Sequence, residues 1–172
     1  ASFSARGAGI MGMMNFGRNH TFLLDEKMNI DFKTLNEFLY KNKNKPILIF
    51  GFTFMVWQYL FQQMKKENKT YDLSKAVLVH SGGWKKLIEQ AVDNETFKSS
   101  IQKICGINKI HNFYGMVEQV GSVYVECEEG VLHAPSFSDI ILRDAKDWKI
   151  IDEIGKAGVI ETVSVLPKSY PG

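Results

Sequence analysis

The chain has 172 residues, 45% hydrophobic and 23% charged, the composition of an ordinary globular domain with one core and little material for two. Twenty-one basic against nineteen acidic side chains leave a net charge of +2, which removes any electrostatic case for nucleic acid or an anionic membrane as partner. The longest apolar stretch, 47–57, is broken by Gly51 and Thr53 and is too short to span a bilayer, while Cys105 and Cys127 are too few for a disulfide framework. With no leader pattern at its start, a cytoplasmic protein without a membrane span is expected.

In chain order, the first feature is Gly7-Ala8-Gly9-Ile10-Met11-Gly12, which fits the spacing of a dinucleotide-binding fingerprint. That reading needs a strand before the glycines and a helix after them, yet the preceding SFSAR is polar and Met13 to Gly17 makes a poor helix. Leu35, Phe38 and Leu39 mark a short amphipathic helix ended by the turn 41–45, and Pro46 starts a buried strand over 47–50. Phe54, Trp57, Leu60, Phe61 and Met64 repeat at helical spacing, so a helix follows the turn 51–53 directly. Residues 77–79 form the next strand. Trp84, Leu87, Ile88 and Ala91 mark a helix after it, and Phe97, Ile101 and Ile104 mark another. Alternating strands and helices imply a parallel α/β sheet flanked by helices. Past Phe113 the pattern changes to short alternating runs, 120–125, 131–133, 140–142 and 158–165, so the carboxyl-terminal third is expected to be antiparallel strands appended to that sheet.

Two segments carry chemistry. In the first, a β-branched run leads into Ser81-Gly82-Gly83 and then Trp84; glycines there let a flat ligand lie against the backbone, and a helix amino end would offer N–H groups to it. Without a ligand, the same residues are a tight strand-to-helix turn, with Lys85 and Lys86 as solvated surface. In the second, Asn112, Tyr114, Gly115, Met116 and Glu118 place an amide, an aromatic face, flexible backbone and a carboxylate near a strand end. A purine would use the amide, the ring and the close approach. The carboxylate would suit Mg²⁺, which takes oxygen ligands. Read blandly, this is a polar loop between strands with Tyr114 half buried.

The pair YDLS…SGG and N-x-Y-G-x-x-E, in this order, resembles the adenylate-forming superfamily of acyl-CoA synthetases, beetle luciferases and peptide-synthetase adenylation domains. The surrounding text, SFSARGAGIMGMMNFGRNHTFLLDE, FGFTFMVWQYL, HSGGWKK, ECEEGVLHAPSFSDIILRD and SVLPKSYPG, is similar to the acyl-protein synthetase of the bacterial bioluminescence fatty-acid reductase and its non-luminous relatives, over nearly the whole chain. The resemblance implies that Gly82, Gly83 and Trp84 lie along adenine and the ribose side. It implies that Asn112 bonds the adenine amino group, Tyr114 stacks on the base, Gly115 and Met116 lie beside the α-phosphate, and Glu118 is the catalytic Mg²⁺ carboxylate. Val117 departs from the pattern, because the superfamily usually has threonine there, and a hydroxyl for phosphate is lost.

The reaction implied is ATP-dependent activation of a fatty or other carboxylic acid to an acyl-adenylate, followed by transfer of the acyl group to a protein cysteine thiol. Coenzyme A as acceptor, in an acyl- or aryl-CoA ligase, stays open. Phe52, Thr53 and Phe54 at a strand end are candidates for an acyl-chain wall, as are Met11, Met13 and Met14, although Phe and Met at such places are commonly core. Cys127 sits between Glu126 and Glu128, whose charges oppose a thiolate, and the acyl-carrying cysteine of the family is expected outside this chain. The four histidines show no zinc-ligand spacing, and His80 is read as a hydrogen-bonded strand-end residue.

The chain opens in mid-pattern and closes without a polar tail, so residues 1–172 are read as an internal fragment of the nucleotide-binding large domain, inactive in isolation. The phosphate loop, the ribose aspartate and the small domain with its lysine are expected outside it. Two readings of other classes stand beside this one: an NAD-binding oxidoreductase through GAGIMG, and a noncatalytic module that keeps the fold.

Overall fold

In a computed structural model, residues 4–116 and 122–166 are described. Val117, Glu118 and the first two residues of the strand predicted over 120–125 lie outside them. The chain clusters into two compact units, 1–112 and 113–172.

The first unit begins with α1, Ala5–Met14, capped by Ser4, whose hydroxyl accepts from the Gly7 amide at 3.1 Å. The glycines of GAGIMG therefore lie within one helix, the Gly7 amide spent on the Ser4 cap, and form no phosphate-cradling loop. A helix that opens at Ala5 leaves these glycines no turn of their own, which the dinucleotide reading requires. Helix α2, Phe32–Asn42, starts at Asp31, which accepts from the Thr34 amide at 3.0 Å and its hydroxyl at 2.6 Å. Those bonds hold the Asp31 carboxyl below the usual carboxylate range, the side-chain bond contributing most. Strand β1, Ile47–Phe52, is longer than predicted and only half-buried along most of its length, with Leu48 exposed.

The helix after β1 is continuous but not uniform: α3, Thr53–Met55, passes into a π-helix, Val56–Phe61, and then into α4, Gln62–Lys66. Its apolar stripe enters the core as Val56, Trp57, Leu60 and Met64. Gly51 makes the return onto β1 feasible, since a Cβ there would lie 2.7 Å from Val56 Cγ2. Strand β2, Ala76–Ser81, runs parallel to β1 in a register that pairs Ile47 with Ala76 and Phe52 with Ser81. Helix α5, Asn94–Cys105, is capped by Asp93 and closed by Gly106 at φ +68°. The loop into β2 is tied to the end of α5 by the amides of Tyr71 and Leu73, which donate to Ile104 and Cys105 carbonyls at 3.1 and 2.8 Å. Met64, Leu78, Ile101, Cys105 and Ile107 are fully buried at the centre of the core. Removing each large apolar side chain from water contributes about 1.5–3 kcal/mol.

The helix predicted from Trp84 to Ala91 does not form. Lys85 stands at φ +52°, Leu87 is off helical geometry, and only a short 3₁₀ segment, Lys85–Gln90, remains, with none of its residues buried. Trp84 instead turns inward on Trp57 and Phe97, at ring distances of 5.5 and 6.1 Å, so the pattern it shares with Leu87 and Ile88 has no single face to serve. Among the described residues, no helix is long and apolar enough to cross a membrane.

Strand β3, Lys109–Tyr114, lies next to β2 in strand order and carries the chain into the second unit. There β4, Tyr124–Glu126, pairs antiparallel with its end, and β5, Leu132–His133, pairs antiparallel with β4. Strands β6, Ser138–Arg143, and β7, Val159–Ser164, are antiparallel as expected but make a separate two-stranded sheet rather than extending the first. Tyr124, Ser122, Thr162 and Ser164 are buried in this unit, where Ser122 and Ser138 share a hydrogen bond of 2.7 Å between hydroxyls. Arg143 and Glu161 form an ion pair across β6 and β7, and Arg143 also donates to the Trp148 carbonyl at 3.0 Å.

Candidate functional site

The exit of β2 is the best-defined part of the candidate site. Gly82 stands at φ +79°, a conformation that glycine adopts at no steric cost, and nothing lies within 4 Å of where a Gly83 side chain would start. Both glycines are exposed, and Trp84 behind them is half-buried. The turn thus presents open backbone to solvent and is followed by an aromatic residue packed on Trp57 and Phe97. What it lacks is the predicted helix amino end, since the 3₁₀ segment that follows is too short and too irregular to gather free N–H groups.

The register of β1 against β2 brings the predicted acyl and nucleotide positions to one sheet end. Phe52 pairs with Ser81, and a Cβ on Gly82 would meet Phe52 Cδ1 at 3.6 Å. The Phe52 ring also meets Phe50 edge-on at 5.6 Å, and a Cβ on Gly9 of α1 would lie 3.8 Å from its Cζ. Phe54 is half-buried. Thr53 is not offered to a ligand: it is buried, and its hydroxyl lies 3.0 Å from His80 Nδ1 and 3.2 Å from the Ser81 carbonyl oxygen. His80, 2% exposed, rests on the Phe97 ring at 4.6 Å. No local pattern announces this pair, because its members are 27 residues apart and meet only through the β1–β2 register.

Asn112, half-buried on β3, belongs to the first unit, together with Gly82, Gly83 and Trp84. Tyr114, Gly115 and Met116 belong to the second. Tyr114 is 42% exposed, more open than the half-buried ring of a plain polar loop between strands, and its ring lies 6.2 Å from that of Tyr124. A Cβ on Gly115 would meet the Ser122 carbonyl oxygen at an ordinary 3.5 Å. Glu118, the proposed metal carboxylate, lies outside the described residues, and among those described no group of three His, Cys, Asp or Glu could hold a metal ion. Of the methionines considered for an acyl wall, Met11 is exposed, while Met13 and Met14 are half-buried.

The cysteines differ sharply. Burial pushes the Cys105 thiol up to about 12, and its Sγ lies 3.5 Å from Met64 Sδ, whereas Cys127 is half-buried. An open groove of about 360 Å³ runs between residues 19–21 and one side of α2, with none of the predicted site residues in its walls.

The sequence model of the family described as acyl-protein synthetase, LuxE, matches residues 2–172. No curated protein matches the chain. Among solved structures, the fold is similar to a long-chain-fatty-acid-CoA ligase (FadD1) from Archaeoglobus fulgidus, with a TM-score of 0.60 and 17% identity over 92% of this chain and 32% of that one. It is also similar to the ATP-bound RpMatB-BxBclM chimeras B3 and B1, each with a TM-score of 0.50 and 14% identity over 75% of this chain and 24% of theirs. The chain thus spans less than half the length of these solved structures, and at such identities the likeness is one of fold. The family match over almost every residue is what assigns the sequence: the chain belongs to the acyl-protein synthetase, LuxE, family.

Proposed function

We propose that this chain carries the adenine-side portion of a site in which a fatty or other carboxylic acid is activated by ATP and its acyl group is then passed to a protein cysteine thiol. The observation that carries the reading is the family match over 2–172, combined with an exposed double-glycine turn that directly follows Ser81, the β-ladder partner of the candidate acyl residue Phe52. In the first step, a carboxylate oxygen of the acid bonds to the α-phosphorus of ATP and the bond to pyrophosphate breaks. In the second, the thiol sulfur bonds to the acyl carbon, AMP leaves, and the thiol proton is released. The protein's share is to position the reactants and to stabilise developing charge.

Gly82, Gly83 and Trp84 are assigned to the adenine and ribose side, Asn112 to the adenine amino group, and Tyr114 to stacking on the base. Gly115 and Met116 are assigned to the α-phosphate. In the first unit, the open space over Gly83 suits the close approach of a flat ring; in the second, the exposed Tyr114 ring suits stacking. Glu118 is assigned to Mg²⁺, which would neutralise phosphate charge when bound. Phe52 and Phe54 are assigned to the acyl chain, with Thr53 behind them. A cytoplasmic location, with an acyl-donor or acyl-acceptor protein as partner, belongs to the same proposal.

The test is ATP–pyrophosphate exchange by the full-length protein across a panel of carboxylic acids, with Glu118→Ala beside it. We expect fatty acids to stimulate exchange and Glu118→Ala to lower it by roughly 10²-fold, the order of a lost transition-state charge contact. If no acid stimulates exchange, the proposal fails; if Glu118→Ala exchanges at the full rate, the metal assignment fails alone. Incubating the adenylate with coenzyme A or with a cysteine-bearing partner protein then decides the acceptor.

A further inference from the structure

The hydroxyl of Thr53 has a geometry that the acyl-wall role does not use. Thr53 immediately follows β1, one residue beyond the last rung, in which Phe52 pairs with Ser81. Its Oγ1 is 3.2 Å from the Ser81 carbonyl oxygen and 3.0 Å from His80 Nδ1, and both Thr53 and His80 are buried. A hydroxyl carries one proton, and a carbonyl can only accept. Both contacts are satisfied in one arrangement: the Thr53 hydroxyl donates to the Ser81 carbonyl while its oxygen accepts from His80 Nδ1–H. The imidazole is in turn held by the Phe97 ring at 4.6 Å. The side chains of Thr53 and His80 therefore extend the β1–β2 ladder by one buried rung.

The Ser81 carbonyl and the Gly82 amide belong to one planar trans peptide, whose C=O and N–H point in opposite directions. Fixing the carbonyl on Thr53 therefore fixes the direction of the Gly82 N–H. That matters at Gly82, which stands at φ +79°, a conformation its missing side chain permits but does not enforce. We infer that Thr53 is a positioning residue, braced by His80, that sets the Ser81–Gly82 peptide plane and with it the backbone surface offered to an adenine nucleotide. The second half of this inference rests on the nucleotide reading of the turn given above; the brace itself does not.

The two roles for Thr53 separate kinetically. An acyl-wall residue alters the KM for the acid in a way that depends on chain length, whereas a brace for Gly82 alters the KM for ATP equally for every acid. In the full-length protein, Thr53→Val removes the hydroxyl at nearly constant shape, Thr53→Ser keeps it, and His80→Asn retains a donor near the Nδ1 position. Two readouts are needed: amide hydrogen exchange at Gly82 and Gly83, and pyrophosphate exchange with ATP and acid varied separately, both well below the unfolding temperature.

We expect Thr53→Val to speed exchange at Gly82 relative to amides in α5. It should also raise the ATP KM by roughly threefold to tenfold, the order of one lost neutral hydrogen bond, with acid chain-length preference unchanged. Thr53→Ser and His80→Asn, which keep the hydroxyl and a donor to it, should shift both readouts less than Thr53→Val does. Unchanged Gly82 exchange in Thr53→Val overturns the brace, whether or not the protein uses ATP. Faster Gly82 exchange with an unmoved ATP KM, or a shift confined to acids of one length, overturns the positioning role. If the wild-type protein shows no ATP dependence, the functional reading has failed, and the amide measurement still decides whether the brace exists.

Discussion

Replacing Gly82 and Gly83 one at a time by alanine separates backbone geometry from ligand access at the exit of β2. At Gly82, φ is +79°, and a Cβ would meet Phe52 Cδ1 at 3.6 Å, which is ordinary contact. The cost is therefore conformational rather than steric, about 1–2 kcal/mol for an L side chain in the left-handed region. At Gly83, a Cβ enters open space and φ is not positive, so the methyl group meets nothing. Alanine there restricts the unfolded chain and stabilises by about 0.4–1 kcal/mol where the backbone is compatible. The variants should thus differ by about 1.5–3 kcal/mol, with Gly82→Ala the weaker. Urea unfolding followed by tryptophan fluorescence suits the measurement, since Trp57 and Trp84 pack together in the first unit. With a slope of about 1–3 kcal/mol/M, the midpoints should lie about 1 M apart. Equal midpoints, or a less stable Gly83→Ala, would refute the geometric reasoning. Gly83→Ala should also weaken ATP binding while folding normally; wild-type affinity in that variant would remove the argument that this glycine admits a nucleotide.

Three further predictions probe the fold that holds the turn. Gly51→Ala places a Cβ 2.7 Å from Val56 Cγ2, so it should cost about 1–3 kcal/mol by overpacking, and a cycle with Val56→Ala should show favourable coupling; zero coupling by chemical denaturation would contradict it. In the second unit, Gly158→Ala would bring a Cβ within 2.8 Å of the Arg143 carbonyl oxygen, a backbone atom that cannot swing aside. Amide exchange along β6 and β7 should therefore rise in that variant, and unaltered protection would count against the reading. Cys105, whose folded thiol is raised from 9.0 to about 12, should resist a thiol reagent at pH 8 until urea is added, while Cys127 reacts without it. Because burial favours the protonated thiol, its stabilising contribution is fully present below pH 9 and is lost as pH climbs toward about 12. The stability advantage of the wild type over Cys105→Ala should shrink across that window, and an advantage independent of pH would show the thiol is not held as described.

The sequence by itself was sufficient wherever the signal was periodic and long enough to dominate its surroundings. The apolar spacing of Leu35, Phe38 and Leu39, of Trp57, Leu60 and Met64, and of Phe97 and Ile101 marked three helical stretches that do bury those faces. Alternation past Phe113 marked strands. Family membership was also legible, because it is spread over nearly the whole chain rather than resting on either short motif.

Tertiary contacts decided the rest. Trp84, Leu87 and Ile88 have helical spacing, yet the pull of Trp84 onto Trp57 and Phe97 and the left-handed Lys85 leave only a 3₁₀ segment. GAGIMG has the spacing of a phosphate loop, but a serine cap and helical hydrogen bonds make it the middle of α1. Alternation in 138–143 and 159–164 says that these residues are strands, and only pairing says that they leave the main sheet to bond each other. The Thr53–His80 brace is the clearest case: a threonine after a strand and a histidine 27 residues on carry no mutual signal. A parallel register brings them together because hydrogen bonding between strands fixes positions that sequence distance does not. The chain's residues determined which segments would be helix, strand or glycine turn and which family they spell; packing and register determined what each glycine turn and each buried hydroxyl is free to do.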